Sequence, residues 1–174
     1  MNRVVALLVR FPELHSVRSN PGDATLTLSF AVRERLDRAT QRALADRVSE
    51  HVNAFLDLRG DLRGDVPSKI ALAYDRDTAV TFVNVTRDAA SFAREELELL
   101  VALFADAYGD RLVRDGESAE FDEDPAARDE QVEVALDALR DPTQRRRLVG
   151  FREEQRVLVY FVHARKRVKA RARS

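Results

Sequence analysis

A chain of 174 residues, 45% of them hydrophobic, has the length of one domain with a sizeable core, since a chain this long buries roughly 70% of the surface its unfolded form exposes. It contains no cysteine, which excludes disulfides, thiolate metal sites and cysteine nucleophiles. Its 29 basic and 30 acidic residues nearly cancel to a net charge of −1, but six of the positive charges crowd into residues 165–173, so the body is acidic and the end basic.

From the N-terminus, "RVVALLVRF" (3–11) is short, apolar and rich in β-branched residues, and reads as a buried strand bounded by Pro12. The stretch is too short for a membrane span, which takes about 20 apolar residues. It also lacks a secretory pattern, so the chain reads as cytoplasmic with no membrane partner. Residues 11–23 read as a long connection ending in the turn "NPGD" (20–23). "ATLTLSFAV" (24–32) then alternates, with Leu26, Leu28, Phe30 and Val32 on one side and Thr25, Thr27, Ser29 and Ala31 on the other, which predicts a half-buried strand.

From Leu36 the period lengthens. Ala39, Ala43, Leu44, Val48, Val52, Phe55 and Leu56 recur every three to four residues, the pattern of an amphipathic helix, with Asp37 as its N-cap and its end near Gly60. The tandem "DLRGDLRGDVP" (57–67) reads as a loop. "KIALAY" (69–74) and "TAVTFVNV" (78–85) flank "DRD" (75–77) as a hairpin. A second amphipathic helix over 89–108, capped by Asp88 and ended by Gly109, carries Phe92, Ala93, Leu97, Leu100, Val101, Phe104, Ala107 and Tyr108 on its apolar stripe.

After the acidic stretch "DGESAEFDED" (115–124), Asp124-Pro125 opens a helix over 125–140. Asp141-Pro142 repeats that signal and predicts a short helix through "TQRRRLV", broken at Gly150. "RVLVYFV" (156–162) reads as a final strand by its β-branched and aromatic content, with helix as the alternative. The fold expected is therefore α+β: a mainly antiparallel, four- to five-stranded sheet against two long amphipathic helices in ββα-ββα order, followed by C-terminal helices and a last strand. The divisions are a core over 1–112, an extension over 113–163 and a basic tail over 164–174, read as disordered.

Chemistry-bearing motifs are sparse. There is no GxGxxG, no GxxxxGK[ST], no Gly-x-Ser-x-Gly and no HxxxH or HExxH among His15, His51 and His163, so no cofactor or metal site is assigned. The candidate nucleic-acid contacts are Arg145, Arg146 and Arg147, on the expected short helix, together with Arg165, Lys166, Arg167, Lys169, Arg171 and Arg173 of the tail. The tail has no aromatic residue on which a base could stack, so it offers phosphate contact without sequence readout.

The function expected is a non-catalytic protein-binding or regulatory module, whose partner is another protein or a second copy of itself, with auxiliary nucleic-acid contact through the C-terminus. One rival is a carboxylate- or divalent-metal-dependent enzyme assembled in three dimensions from Asp57, Asp61, Asp65, Asp75 and Asp77. The other is a structural subunit of an assembly.

Overall fold

The period-two run Thr25–Val32 forms one strand of a six-stranded antiparallel sheet, and among the described residues helices cover the side to which its leucines point. The computed structural model describes residues 3–60, 70–114, 124–141, 143–153 and 156–163. Within them the elements run α1 (Arg3–Arg10), β1 (Leu14–Asn20), β2 (Thr25–Val32), α2 (Arg38–Arg59), β3 (Ile70–Asp77), β4 (Val80–Asp88), α3 (Arg94–Tyr108), α4 (Pro125–Arg140), β5 (Arg146–Glu153) and β6 (Arg156–His163). The strand order is β3-β4-β2-β1-β5-β6, with every neighbouring pair antiparallel. The α+β class holds, with six strands in place of four or five.

Four local expectations change. Residues 3–10 form a helix, and the first strand lies instead at Leu14–Asn20, inside the expected connection. Val4, Leu7, Leu8 and Phe11 are all buried, a spacing of three, one and three that only a helical turn places on one side. The β-branched content of this stretch favoured a strand, but burial of its apolar face decided the outcome. The second long helix begins at Arg94 with Ala93 as its cap position, while Asp88 accepts hydrogen bonds from the Ser91 backbone and hydroxyl in the preceding turn.

The hairpin turn falls at Thr78–Ala79, because Asp77 already pairs with Val80, so Asp75 and Asp77 belong to β3. Finally, Arg146–Glu153 is a strand that passes straight through Gly150. Gly150 pairs with Val17 on the helix side of the sheet. A Cβ there would lie 2.7 Å from Val4 Cγ1 and 3.2 Å from Leu8 Cδ1. The glycine therefore marks a close approach of α1 to the sheet, and does not end a helix.

Other signals hold. Asp37 Oδ1 accepts from Thr40 N at 2.7 Å to cap α2, and Gly60 closes it in the left-handed region (φ 68°). Asp124 Oδ1 accepts from Ala126 N at 3.1 Å ahead of Pro125. The 156–163 stretch is a strand.

The core lies between the sheet's inner side and the helices. Phe30 of β2 stacks on Phe104 of α3 with ring centroids 4.0 Å apart. The Tyr74 hydroxyl of β3 donates to the Gln41 carbonyl of α2 at 2.7 Å, and burial, with the Tyr108 phenol adding to it, pushes the Tyr74 phenol up to about 12. Helix α4 packs on α1 and α3, and Arg94 of α3 reaches Asp129 and Glu133 of α4.

One ion pair lies inside this core. Arg87 of β4 and Glu96 of α3 are both fully buried, and the guanidinium donates to both carboxylate oxygens, with Nη2 to Oε2 at 3.1 Å. Arg87 also donates to Asp88 and, at 3.1 Å, to Ser91 Oγ. Burial pushes the Glu96 carboxyl up, and the Arg87 guanidinium pulls it back only in part. Removing one member strands the other in a dry core, which costs about 3–5 kcal/mol, whereas replacing both by apolar side chains does not.

Two predictions follow from this packing. Arg87→Met and Glu96→Leu should each lower stability by about 3–5 kcal/mol in urea denaturation. The double variant should lose much less than their sum, and additive losses would contradict the buried pair. Gly150→Ala should cost about 1–3 kcal/mol through overpacking against α1. That cost should shrink in a Val4→Ala background, and an equal cost in both backgrounds would count against the close approach.

Candidate functional site

Because strand side chains alternate, a sheet covered on one side presents the other half of its residues outward. The register sets these out in rows. Ala73, Asn84, Ser29, Ser16 and Phe151 form one row from β3 to β5, and Ala71, Thr86, Thr27, Arg18, Val149 and Tyr160 form the next, reaching β6. The face is concave. A trough of about 510 Å³ is lined by residues from all six strands, among them Arg18, Thr27, Asp75, Asn84, Arg147 and Val162. A smaller depression of about 250 Å³ adjoins it and adds His15, Ser16, Ser29, Phe82 and Phe151.

The trough floor is a fixed hydrogen-bond network. Ser29 Oγ donates to Asn84 Oδ1, and Asn84 Nδ2 donates to Asp75 Oδ2 at 2.8 Å. Thr27 Oγ1 and Thr86 Oγ1 share a hydrogen bond of 2.9 Å. Ser29 and Asn84 are buried although, among the described residues, no helix lies above them. Such a network holds the side chains in one arrangement and leaves few of the floor's donors and acceptors unspent.

The walls differ. On the β3–β4 side stand Asp75 and Phe82, whose ring meets the His15 imidazole with centroids 4.9 Å apart. On the β1–β5–β6 side stand Arg18 and Arg147, both exposed. Among the described residues neither has a hydrogen-bond or ion-pair partner, in contrast to Arg87, Arg94, Arg111, Arg140 and Arg152 around the core. Beside them Phe151 and Tyr160 stack on each other with centroids 5.6 Å apart, and Tyr160 is 52% exposed.

Of the sequence-predicted contacts, Arg147 lines the trough. Arg145 and Arg146 are exposed, but the three arginines do not form the single patch a short helix would give. Their segment is extended, so Arg146 and Arg147 project to opposite sides of the sheet. Arg165, Lys166, Arg167, Lys169, Arg171 and Arg173 lie outside the described residues.

The charged residues around this strand serve local contacts. Asp141 Oδ1 accepts from Thr143 N at 2.9 Å and from its hydroxyl at 2.7 Å, which holds the Asp141 carboxyl below its usual range. Arg152 donates to the Leu14 carbonyl at 2.9 Å and the Phe11 carbonyl at 3.2 Å, tying β5 to the turn after α1.

Of the aspartates of the rival reading, the three among the described residues stand apart. Asp75 reaches the trough, Asp77 stands at the open end of β3 beside Thr78, and Asp57 is exposed on α2. Asp61, Asp65, the rest of the doubled DLRG and most of the acidic stretch lie outside the described residues. Among the described residues no group of three His, Asp or Glu is placed to hold a metal ion, and no helix is long and apolar enough to cross a membrane.

Sequence reasoning missed Arg18, Asn84, Phe151 and Tyr160 as neighbours, because strand order rather than sequence spacing joins them. The alternation of "TLTLSF" was the signal that Thr27 and Ser29 face away from the core. Comparison with protein-family models, with curated proteins and with solved structures gave no match.

The network makes one substitution diagnostic. Asn84→Asp replaces the donor facing Asp75 with a carboxyl, and both burial and Asp75 raise the pKa of that introduced group. A folded-state pKa above the unfolded value means the penalty is absent at low pH and grows as pH rises through the folded value. Thermal melts of the variant and the parent should therefore converge below the carboxylate range and separate above it. A gap independent of pH would exclude the Asn84–Asp75 contact.

Proposed function

We propose that the protein is a non-catalytic binding module that receives a single-stranded nucleic acid on the open face of its sheet. The observation that carries this reading is one juxtaposition: the guanidiniums of Arg18 and Arg147, which have no partner among the described residues, lie on the same side of the sheet as the stacked Phe151–Tyr160 pair, of which Tyr160 is exposed. Single strands are bound by this combination, since cationic side chains track phosphates while aromatic faces stack bases.

The trough supports an extended ligand, because residues of every strand line it over a floor whose side chains are held in place by their own hydrogen bonds. The basic side of the trough lies toward β6, the strand after which the sequence carries six further positive charges. The tail alone lacked a base-stacking surface; Phe151 and Tyr160 supply one on the two strands that precede it.

Fluorescence anisotropy tests this. Labelled oligouridylate and oligodeoxythymidylate of about ten nucleotides match the usual site sizes of single-strand binders. Both should bind more tightly than a duplex of the same length, and affinity should fall as salt rises, with a log–log slope of about −0.7 per phosphate contact. Arg18→Ala and Arg147→Ala should each reduce that slope by about one contact. Tyr160→Ala should weaken binding by about 1–3 kcal/mol with the slope unchanged. Tight binding that survives all three substitutions, or no binding at low salt, would overturn the reading.

A further inference from the structure

We infer that the smaller depression beside the trough takes one base of the bound strand and prefers guanine, read by the Asp75 carboxylate. The preference builds on the single-strand reading of the open face and names what one part of that face selects.

The depression measures about 250 Å³. That lies just under the ~300–1,000 Å³ of sites for drug-sized molecules, so it suits one base and not a run of them. Its lining offers each part of a nucleotide a matching group. Arg18 of β1, assigned above to a phosphate, stands on one side. Phe151 of β5 and Phe82 of β4, the latter against the His15 ring with centroids 4.9 Å apart, flank the floor and offer ring faces on which a base can stack. Asp75 of β3 stands next to Phe82 in the register.

A groove that only tracked phosphates would have no use for Asp75. Its negative charge repels the backbone that Arg18 and Arg147 attract, and it aids binding only where it accepts hydrogen bonds from a base edge. The carboxylate is also held in position. Ser29 Oγ donates to Asn84 Oδ1, and Asn84 Nδ2 donates to Asp75 Oδ2 at 2.8 Å, so the hydrogen-bond chain of the floor ends on this group. That contact leaves Oδ1 without a partner among the described residues, and no cation pairs with the group there, although Arg18 lines the same depression.

A carboxylate is an acceptor only. Among the bases of RNA, guanine alone offers it two adjacent donors, N1–H and the 2-amino group, on the Watson–Crick edge. Adenine and cytosine offer one amino group beside a ring acceptor. Uracil offers one N–H between two carbonyls, which the carboxylate repels. Two parallel hydrogen bonds to a charged acceptor make a strong and directional contact, and the edge that donates them is open to a protein in a single strand.

Anisotropy titrations test this with labelled strands of about ten nucleotides: oligouridylate, and the same strand with one central guanosine, inosine, adenosine or cytidine. The guanosine strand should bind about tenfold more tightly than oligouridylate, with adenosine and cytidine between them. Inosine lacks the 2-amino group and should lose most of the preference with the protein unaltered. Asp75→Asn should bring the guanosine and uridine strands to equal affinity, with circular dichroism and thermal melting showing that the sheet persists. Equal affinity of the parent chain for those two strands, inosine bound as tightly as guanosine, or a preference that survives Asp75→Asn would overturn this inference and leave the single-strand reading standing. No binding of any strand would overturn both.

Discussion

The structure depends on one constraint: successive strand side chains point to opposite sides, and the four α-helices of the described residues lie on the same side. Leu14, Val17, Leu26, Leu28, Phe30, Val83 and Val85 all project inward and are shielded by α1, α2, α3 and α4. Everything facing the other way is left to solvent or to a partner. The same alternation that builds the core therefore defines the outward surface, and a slip of one residue in any strand would exchange the two. The bulge in β1 between Leu14 and Ser16 shows how local this control is. It lets Leu14 face the core opposite Phe30 while the next row, Ser16 opposite Ser29, faces the trough.

Charge is sorted by the same rule. Arginines that border the core are tied down: Arg87 by Glu96 and Asp88, Arg140 by the Phe92 carbonyl and Asp137, Arg152 by the Leu14 and Phe11 carbonyls. Those contacts hold helices and turns to the sheet. Among the described residues Arg18 and Arg147 make no such contact, and their guanidiniums are exposed. In a chain whose arginines far outnumber its three lysines, position relative to the sheet distinguishes a structural guanidinium from one open to a ligand. Arg–phosphate contacts gain from the planar, bidentate geometry of the group.

Much of the fold was legible in the sequence, and the failures share a cause. Long periodic segments declared themselves: β2 by alternation, α2 by Leu44, Val48, Val52 and Leu56, and α4 by the Asp124-Pro125 start. Short apolar segments did not, because β-branched composition and a four-residue apolar spacing coexist in "RVVALLVRF" and only tertiary burial chooses between them. Gly150 looked like a terminator because its reason for being glycine is Val4, a residue far away in the chain. Glu96 gives no sign in the sequence, since a charge on an amphipathic helix is ordinary, yet it is buried beside Leu97 and paired with Arg87. The candidate site was legible least. Arg147 was singled out, but its neighbours Arg18, Asn84 and Tyr160 come from three other strands that only the order β3-β4-β2-β1-β5-β6 brings together.

The central claim is that the uncovered face of the sheet is the ligand-binding surface. A titration of the isotope-labelled chain with single-stranded oligouridylate, followed residue by residue through its backbone amide signals, tests it most directly. The account predicts shifts confined to outward positions and their strands, led by Arg18, Thr27, Thr86, Arg147, Phe151 and Tyr160, with α2 and α3 unmoved. Shifts centred on the helical side, or a spectrum unchanged at saturating oligonucleotide, would contradict it.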